Sequence, residues 1–194
     1  QLRGGYRYWL AADALEHTSD AYNTVLYDGD NKPVKLPGYR VDAMTDAAIR
    51  YVDQRQHNEQ PFFMFLSFLE PHHQNHRDDY PAPEIYRGRY ISSWTPPDLA
   101  SLGGTAHQQL DGYYGMVKRL DDALGRLLDA LKSLDQLDNT ILFFTSDHGN
   151  HFKTRNGEYK RSCHESSIRI PFAISGPGFN GGGRLQELVS LIDL

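Results

Sequence analysis

Apolar residues recur along the chain in two rhythms. Val41, Met44, Ala48, Tyr51 and Val52 fall on one face at helical spacing with polar residues between them. This predicts a helix over 40–56, broken at Gln60-Pro61. A longer stripe of Tyr113, Val117, Leu120, Leu124, Leu127, Leu131 and Leu134 has Arg119, Asp121, Asp122, Arg126, Asp129 and Lys132 mostly opposite it. It predicts a helix from near Thr105 to Ser133, ending before the turn at Asp138-Asn139. The unbroken apolar run Ile141 to Phe144 has the character of a strand buried on both faces of a mostly parallel sheet, and Phe62 to Phe68, interrupted only by Ser67, reads as the first strongly buried strand. A third, Ile168 to Ile174, reads as a return strand into the interior, followed by a Gly176-Pro177-Gly178 turn, the Gly181-Gly182-Gly183 run and a last apolar segment from Leu188. Residues 4–30 show neither rhythm clearly and read as a loop-rich surface with one short strand near Tyr6 to Leu10.

The order strand, long loop, long helix, strand is that of a right-handed crossover between parallel neighbours. The expected fold class is therefore α/β, a mostly parallel sheet with helices on both faces. Parallel pairing would bring two strand ends to one sheet edge, the loop Glu70-Pro71-His72-His73-Gln74-Asn75-His76 and the triplet Asp147-His148-Gly149. Ligands of open α/β sheets bind at such an edge. The loop over 78–104 is longer than packing requires, and loops of that kind tend to carry binding residues.

Composition narrows the picture only a little. With 194 residues and 39% apolar content the chain can bury one sizeable core. A net charge of -5 with acids and bases mixed gives no basic stripe for nucleic acid, and no apolar run has the length of a membrane span. The single Cys163 excludes an internal disulfide. There is no internal repeat. The ends, Gln1 without an initiator methionine and Leu194 inside an apolar run, lead us to expect an internal piece of a longer polypeptide.

Several residues have the chemistry of a site. In the irregular loop after a strand, Asp147 and His148 can both turn toward one ion, and a carboxylate with an imidazole suits zinc, manganese or calcium; the same triplet also makes a plain turn. Lys160 offers a fixed ammonium for an anionic oxygen, or a solvated surface charge. His72 or His73, at the end of an apolar run, can bind an anion or give a proton. Arg155, Arg161 and Arg169 can clamp anionic oxygens. A nucleophilic Cys163-His164 pair is disfavoured because adjacent side chains rarely point at each other. Together these residues describe an anion-binding, metal-assisted site without identifying the anion.

The stretches FFTSDHGN, EYKRSCHESSIRIPF and ISGPG closely resemble the later half of the sulfatase catalytic domain, within the alkaline phosphatase superfamily. FFMFLSFLEPH, residues 62–72, is similar to that family's strand ending in Pro-His, and Tyr113 to Leu137 to its long helix. The resemblance implies one incomplete domain over 1–194, alkaline phosphatase-like, forming the central and later part of a catalytic domain and truncated at both ends. It implies that Asp147 and His148 are ligands of a divalent cation, usually calcium, with His148 at a position that is often asparagine. It further implies that Lys160 contacts the sulfate and the leaving oxygen, and that His72 binds sulfate or protonates the leaving group, with His73 as the substitute if the register slips. His164, where many members have tyrosine, and Arg155 would face the substrate.

The nucleophile of that family is a formylglycine made from a Cys/Ser-x-Pro-x-Arg motif, and this sequence contains none; Cys163 is followed by His-Glu. The nucleophile, an early pair of aspartates and a second lysine and histidine are accordingly expected upstream, and the isolated chain is expected to be inactive. A sulfated small molecule or glycan is the expected substrate, with a carbohydrate sulfate suggested by the family's breadth. Tyr86 to Trp94 could stack on sugar rings or simply cover the core. The alternatives are a phosphomonoester or phosphonate monoester hydrolase of the same superfamily, or a noncatalytic metal- or glycan-binding relic. A periplasmic, secreted or lysosomal setting accords with the resemblance, which leaves the oligomeric state open.

Overall fold

The computed structural model describes residues 3–58, 60–74, 76–179 and 181–193. In chain order its elements are α1 Leu15–Thr18, β1 Thr24–Tyr27, β2 Pro33–Leu36, α2 Arg40–Gln54, α3 Glu84–Arg87, α4 Pro97–Ala100, α5 Ala106–Ser133, β3 Leu142–Thr145, α6 Glu165–Ile168 and β4 Phe172–Ser175, with three short 3-10 turns. Contacts divide the chain into two compact units, 1–93 with 109–131, and 94–108 with 132–194.

The first unit is built on α2. Its residues Val41, Ala48 and Val52 are buried as the helical period requires. One cluster packs Ala43 of α2 on Leu26 and Leu36 of an antiparallel β1–β2 hairpin; another packs Val41 with Ala21, Tyr39 and Ala123 of α5, flanked by Phe68 and Leu120. The hairpin falls within and just beyond the stretch read as loop-rich. Its connection is an Asx-type turn in which Asp28 Oδ1 accepts the amides of Asp30 and Lys32 at 2.8 and 2.9 Å. Those two bonds, the Lys32 one foremost, hold the Asp28 carboxyl below its ordinary range. No strand forms at Tyr6 to Leu10; there Ala11 makes only a bridge to Tyr27.

The buried line of α5 includes Leu110, Met116, Ala123 and Leu131, while Val117 is half exposed, so the helix is rotated from the stripe that the large apolar residues suggest. Glycine explains the rotation. A Cβ on Gly112 would lie 2.4 Å from the Tyr80 carbonyl oxygen, and one on Gly115 2.8 Å from the Ala82 Cβ, so this face admits the 80–87 backbone too closely for a side chain. Polar contacts fasten the helix: Arg119 donates to Asp42 and to the Tyr86 hydroxyl, and Arg126 to Asp46.

The apolar runs depart from expectation. Phe62 to Phe68 forms no regular strand and has no ladder partner among the described residues, and its burial alternates, with Phe63 and Phe65 74% and 72% exposed. In the second unit β3 pairs with β4 antiparallel, Leu142 opposite Ser175 and Thr145 opposite Phe172. Phe143, Phe144, Ile168 and Phe172 are exposed, so neither β3 nor the return segment is buried on both faces. Thus the pairing seen among the described residues is antiparallel and two-stranded, and it does not itself display a mostly parallel sheet. The Gly-Pro-Gly turn forms as expected, closed by Phe179 N–H to the Gly176 carbonyl at 2.8 Å. The last apolar segment is exposed at Leu188, Val189 and Ile192, and Leu194 lies outside the described residues. No helix among the described residues is long and apolar enough to cross a membrane.

Candidate functional site

In the second unit the chain leaves β3 at Thr145 and enters an irregular loop at once. Gly149 is what lets this loop close. Its amide donates to the Ser167 carbonyl at 2.7 Å, and a Cβ there would lie 2.2 Å from the Ser166 carbonyl oxygen, so the position requires close backbone approach, not left-handed geometry. Asp147 Oδ1 accepts the amide of the next residue, His148, at 3.0 Å. Its other oxygen, Oδ2, lies 3.4 Å from His148 Nε2.

His148 Nδ1 lies 2.8 Å from the Gly149 carbonyl oxygen, which can only accept, so Nδ1 carries a proton. A neutral imidazole then turns the lone pair of Nε2 toward the Asp147 carboxylate. Two lone-pair donors facing each other call for a positive charge between or beside them, a proton on Nε2 or a cation, and an imidazole fixed by a carbonyl through its other nitrogen is a common ligand arrangement. The pair fits half of a hard or borderline divalent site. No group of three or more His, Cys, Asp or Glu that could hold a metal converges among the described residues.

Lys160 is half-buried in the same unit. Its backbone is tied on both sides: the preceding Tyr159 is buried and its carbonyl accepts the His151 amide at 2.8 Å, while the Lys160 carbonyl accepts the Ser162 amide at 2.8 Å. Lys153 Nζ lies 4.7 Å from the centroid of the Tyr159 ring. Arg155 and His164 are exposed, with His164 preceding the single turn α6. Arg161 is engaged by Glu158 and Arg169 by Glu165, so of the three candidate arginines these two already face carboxylates. Cys163 is exposed.

Sequence reasoning passed over His151. Its ring is fully buried with neither nitrogen hydrogen-bonded. Burial above all, with His164 and Arg155 adding and Glu158 opposing, pushes it below its ordinary 6.5. The unfolded chain takes up a proton here as pH falls below 6.5 while the folded loop resists it, so the stability this residue confers is complete above that pH and is lost as pH falls from there toward the folded value. We expect the melting temperature to fall on acidification from pH 7.5 to 5, and His151→Leu to flatten that limb. Equal slopes for the two proteins would refute the assignment.

The other candidates lie in the first unit. His72 and His73 stack, ring centroids 4.5 Å apart at 16°, with His72 Nδ1 2.6 Å from the His73 carbonyl oxygen. His72 N–H donates to the Leu69 carbonyl at 2.9 Å, closing a turn directly after the 62–68 segment. Tyr86, also in this unit, is engaged by Arg119, while Trp94, where the second unit begins, is 69% exposed.

Comparison with known proteins agrees with the residue pattern. The chain is 30% identical over 186 residues to an ulvan-active sulfatase of Formosa agariphila, an alignment covering 93% of this chain and 35% of that protein. The solved structure of YidJ from Bacteroides fragilis superimposes with a TM-score of 0.75 at 24% identity, over 90% of this chain and 39% of that one. The structure of Ps i-CgsB bound to a k-i-k-neocarrahexaose matches with a TM-score of 0.59 at 28% identity, over 80% of this chain and 32% of that one. The chain thus spans about a third of the length of the ulvan-active relative. The model of the Sulfatase family matches residues 3–194, and the chain belongs to that family.

Proposed function

We propose that the full-length protein hydrolyses a sulfate ester, and that the residues described above form the later part of its active site. The observation that supports this most is the facing Asp147 and His148 donor pair in a chain that matches the Sulfatase family nearly end to end. Asp147 and His148 would hold a divalent cation, calcium by family resemblance, together with ligands from outside this chain. Such a cation, when bound, supplies Lewis-acid neutralisation of sulfate oxygens. Lys160 pairs with a sulfate oxygen and with the charge that develops on the leaving oxygen. His72 gives the departing alcohol its proton, with His73 as the alternative donor. Arg155 and His164, both solvent-facing, meet anionic or hydroxyl groups of the rest of the substrate.

The nucleophile, a formylglycine by resemblance, lies outside these 194 residues, so the isolated chain is expected to be inactive. The Phe62 to Phe68 segment, which has no ladder partner among the described residues, is read as one strand of a mostly parallel sheet that other parts of the full-length protein complete. A carbohydrate sulfate is the favoured substrate class because one relative is ulvan-active and another was solved with a neocarrahexaose. Turnover of paired sulfate and phosphate esters by the full-length protein tests the reading. Preference for the sulfate is expected; preference for phosphate or phosphonate monoesters would move the assignment to the neighbouring hydrolases of the superfamily.

A further inference from the structure

Glu70 follows the 62–68 segment and opens the turn that carries His72. Its side chain is 0% exposed and that of its partner Arg40 1% exposed. Arg40 donates through Nε at 3.0 Å and Nη2 at 2.8 Å, and both bonds reach the same carboxylate oxygen, Oε1. Glu70 Oε2, Arg40 Nη1 and the nearby Tyr39 hydroxyl are left buried without a hydrogen-bond partner. Burial first, then the Glu70 charge, push the Tyr39 phenol up. A buried ion pair that leaves polar atoms unsatisfied is poor value as a source of stability, because well-packed apolar residues of similar volume would do as well or better.

Its geometry suggests another use. Arg40 is the first residue of α2, and its backbone amide is bonded to the Ala21 carbonyl at 2.7 Å, so the guanidinium is a fixed point. Four residues beyond Glu70, the buried Gln74 donates through Nε2 to the carbonyls of Glu16 at 3.0 Å and Ser19 at 2.8 Å. His72 and His73 therefore sit between two buried polar anchors, each tied to backbone or side chains far away in sequence.

We propose that the buried Arg40–Glu70 pair, with Gln74 as the second anchor, is a positioning device that holds the His72 imidazole in register to protonate the leaving-group oxygen. The inference rests on the reading of His72 given above. It implies that removing the pair without changing volume harms catalysis more than folding, and harms it selectively: esters of poor leaving groups need the proton, activated aryl esters do not.

The test compares full-length wild type, the Arg40→Met/Glu70→Leu double variant and His72→Ala. We expect the double variant to melt within about 3 °C of wild type. Its kcat on a sugar or alkyl sulfate should fall roughly tenfold or more, while kcat on 4-nitrophenyl sulfate changes less than about twofold. A merely structural role would depress both substrates alike, and that result would overturn the proposal. If His72→Ala shows the leaving-group selectivity and the double variant does not, positioning is refuted while the role of His72 stands. If His72→Ala affects neither substrate, the reading of His72 falls and this proposal falls with it. Glu70→Gln, isosteric and uncharged, replaces the double variant in every comparison if the latter fails to fold.

Discussion

Replacing Lys160 with alanine in the full-length protein is expected to lower kcat on a sulfate ester by about 10²–10³, which corresponds to roughly 3–4 kcal/mol of transition-state stabilisation. The magnitude follows from what a sulfate ester does as it breaks: negative charge gathers on the leaving oxygen, and a preorganised cation beside it is favoured more in the transition state than in the ground state. Backbone bonds on both sides of Lys160, His151 to Tyr159 and Ser162 to Lys160, fix where its side chain starts, and the buried Tyr159 ring beneath Lys153 anchors the segment. Lys160→Arg should rescue poorly, since a planar fork does not occupy the place of a compact ammonium. Because Lys160 is only half-buried, the melting temperature should change little, which separates a catalytic loss from an unfolding one. Unchanged kcat in the alanine variant would remove Lys160 from the site.

The helices were the most legible part of the chain. The apolar period placed α2 and α5 within two residues of their observed limits, Arg40–Gln54 and Ala106–Ser133, because each must bury one face and its sequence says which. Even so, the period misjudged the rotation of α5, since Gly112 and Gly115 make close contact by having no side chain at all. The strand expected at Phe62 to Phe68 shows only as an alternation of burial, because sheet partners are a property of distant segments, and none of those pairs with it among the described residues. The β1–β2 hairpin was missed although Asp28-Gly29-Asp30-Asn31 is a turn signal, because the strands flanking it are only four residues each.

The same division holds at the site. Asp147, His148 and Lys160 stand out because their chemistry is local, packed into one loop after one apolar run. Arg40, Glu70 and Gln74 could not be singled out, because their partners lie 30 residues away in the first case and 55 or more in the last. Local sequence carries no trace of such a pairing. His151 was obscured by the abundance of histidines, nine in the chain, and only its complete burial distinguishes it.

Asp147→Asn is expected to remove calcium-dependent stabilisation from the full-length protein, along with most of its turnover. Asparagine keeps the shape and the acceptor oxygen that receives the His148 amide, so the turn should survive; what it loses is the charge facing His148 Nε2. A ligand that binds only the folded protein stabilises it by about 2.7 kcal/mol at a concentration of 100 Kd, so wild type in saturating calcium should melt several degrees above the chelated protein. The Asp147→Asn protein should melt at the chelated wild-type temperature with or without calcium. Residue 148 supplies the contrast, because related sulfatases often carry asparagine there by resemblance. His148→Asn should keep most of the calcium shift, whereas His148→Ala, which leaves no donor beside Asp147, should lose it. If neither Asp147→Asn nor His148→Ala alters the shift, the facing carboxylate and imidazole are only neighbours in a loop, and the metal must be sought elsewhere in the full-length protein.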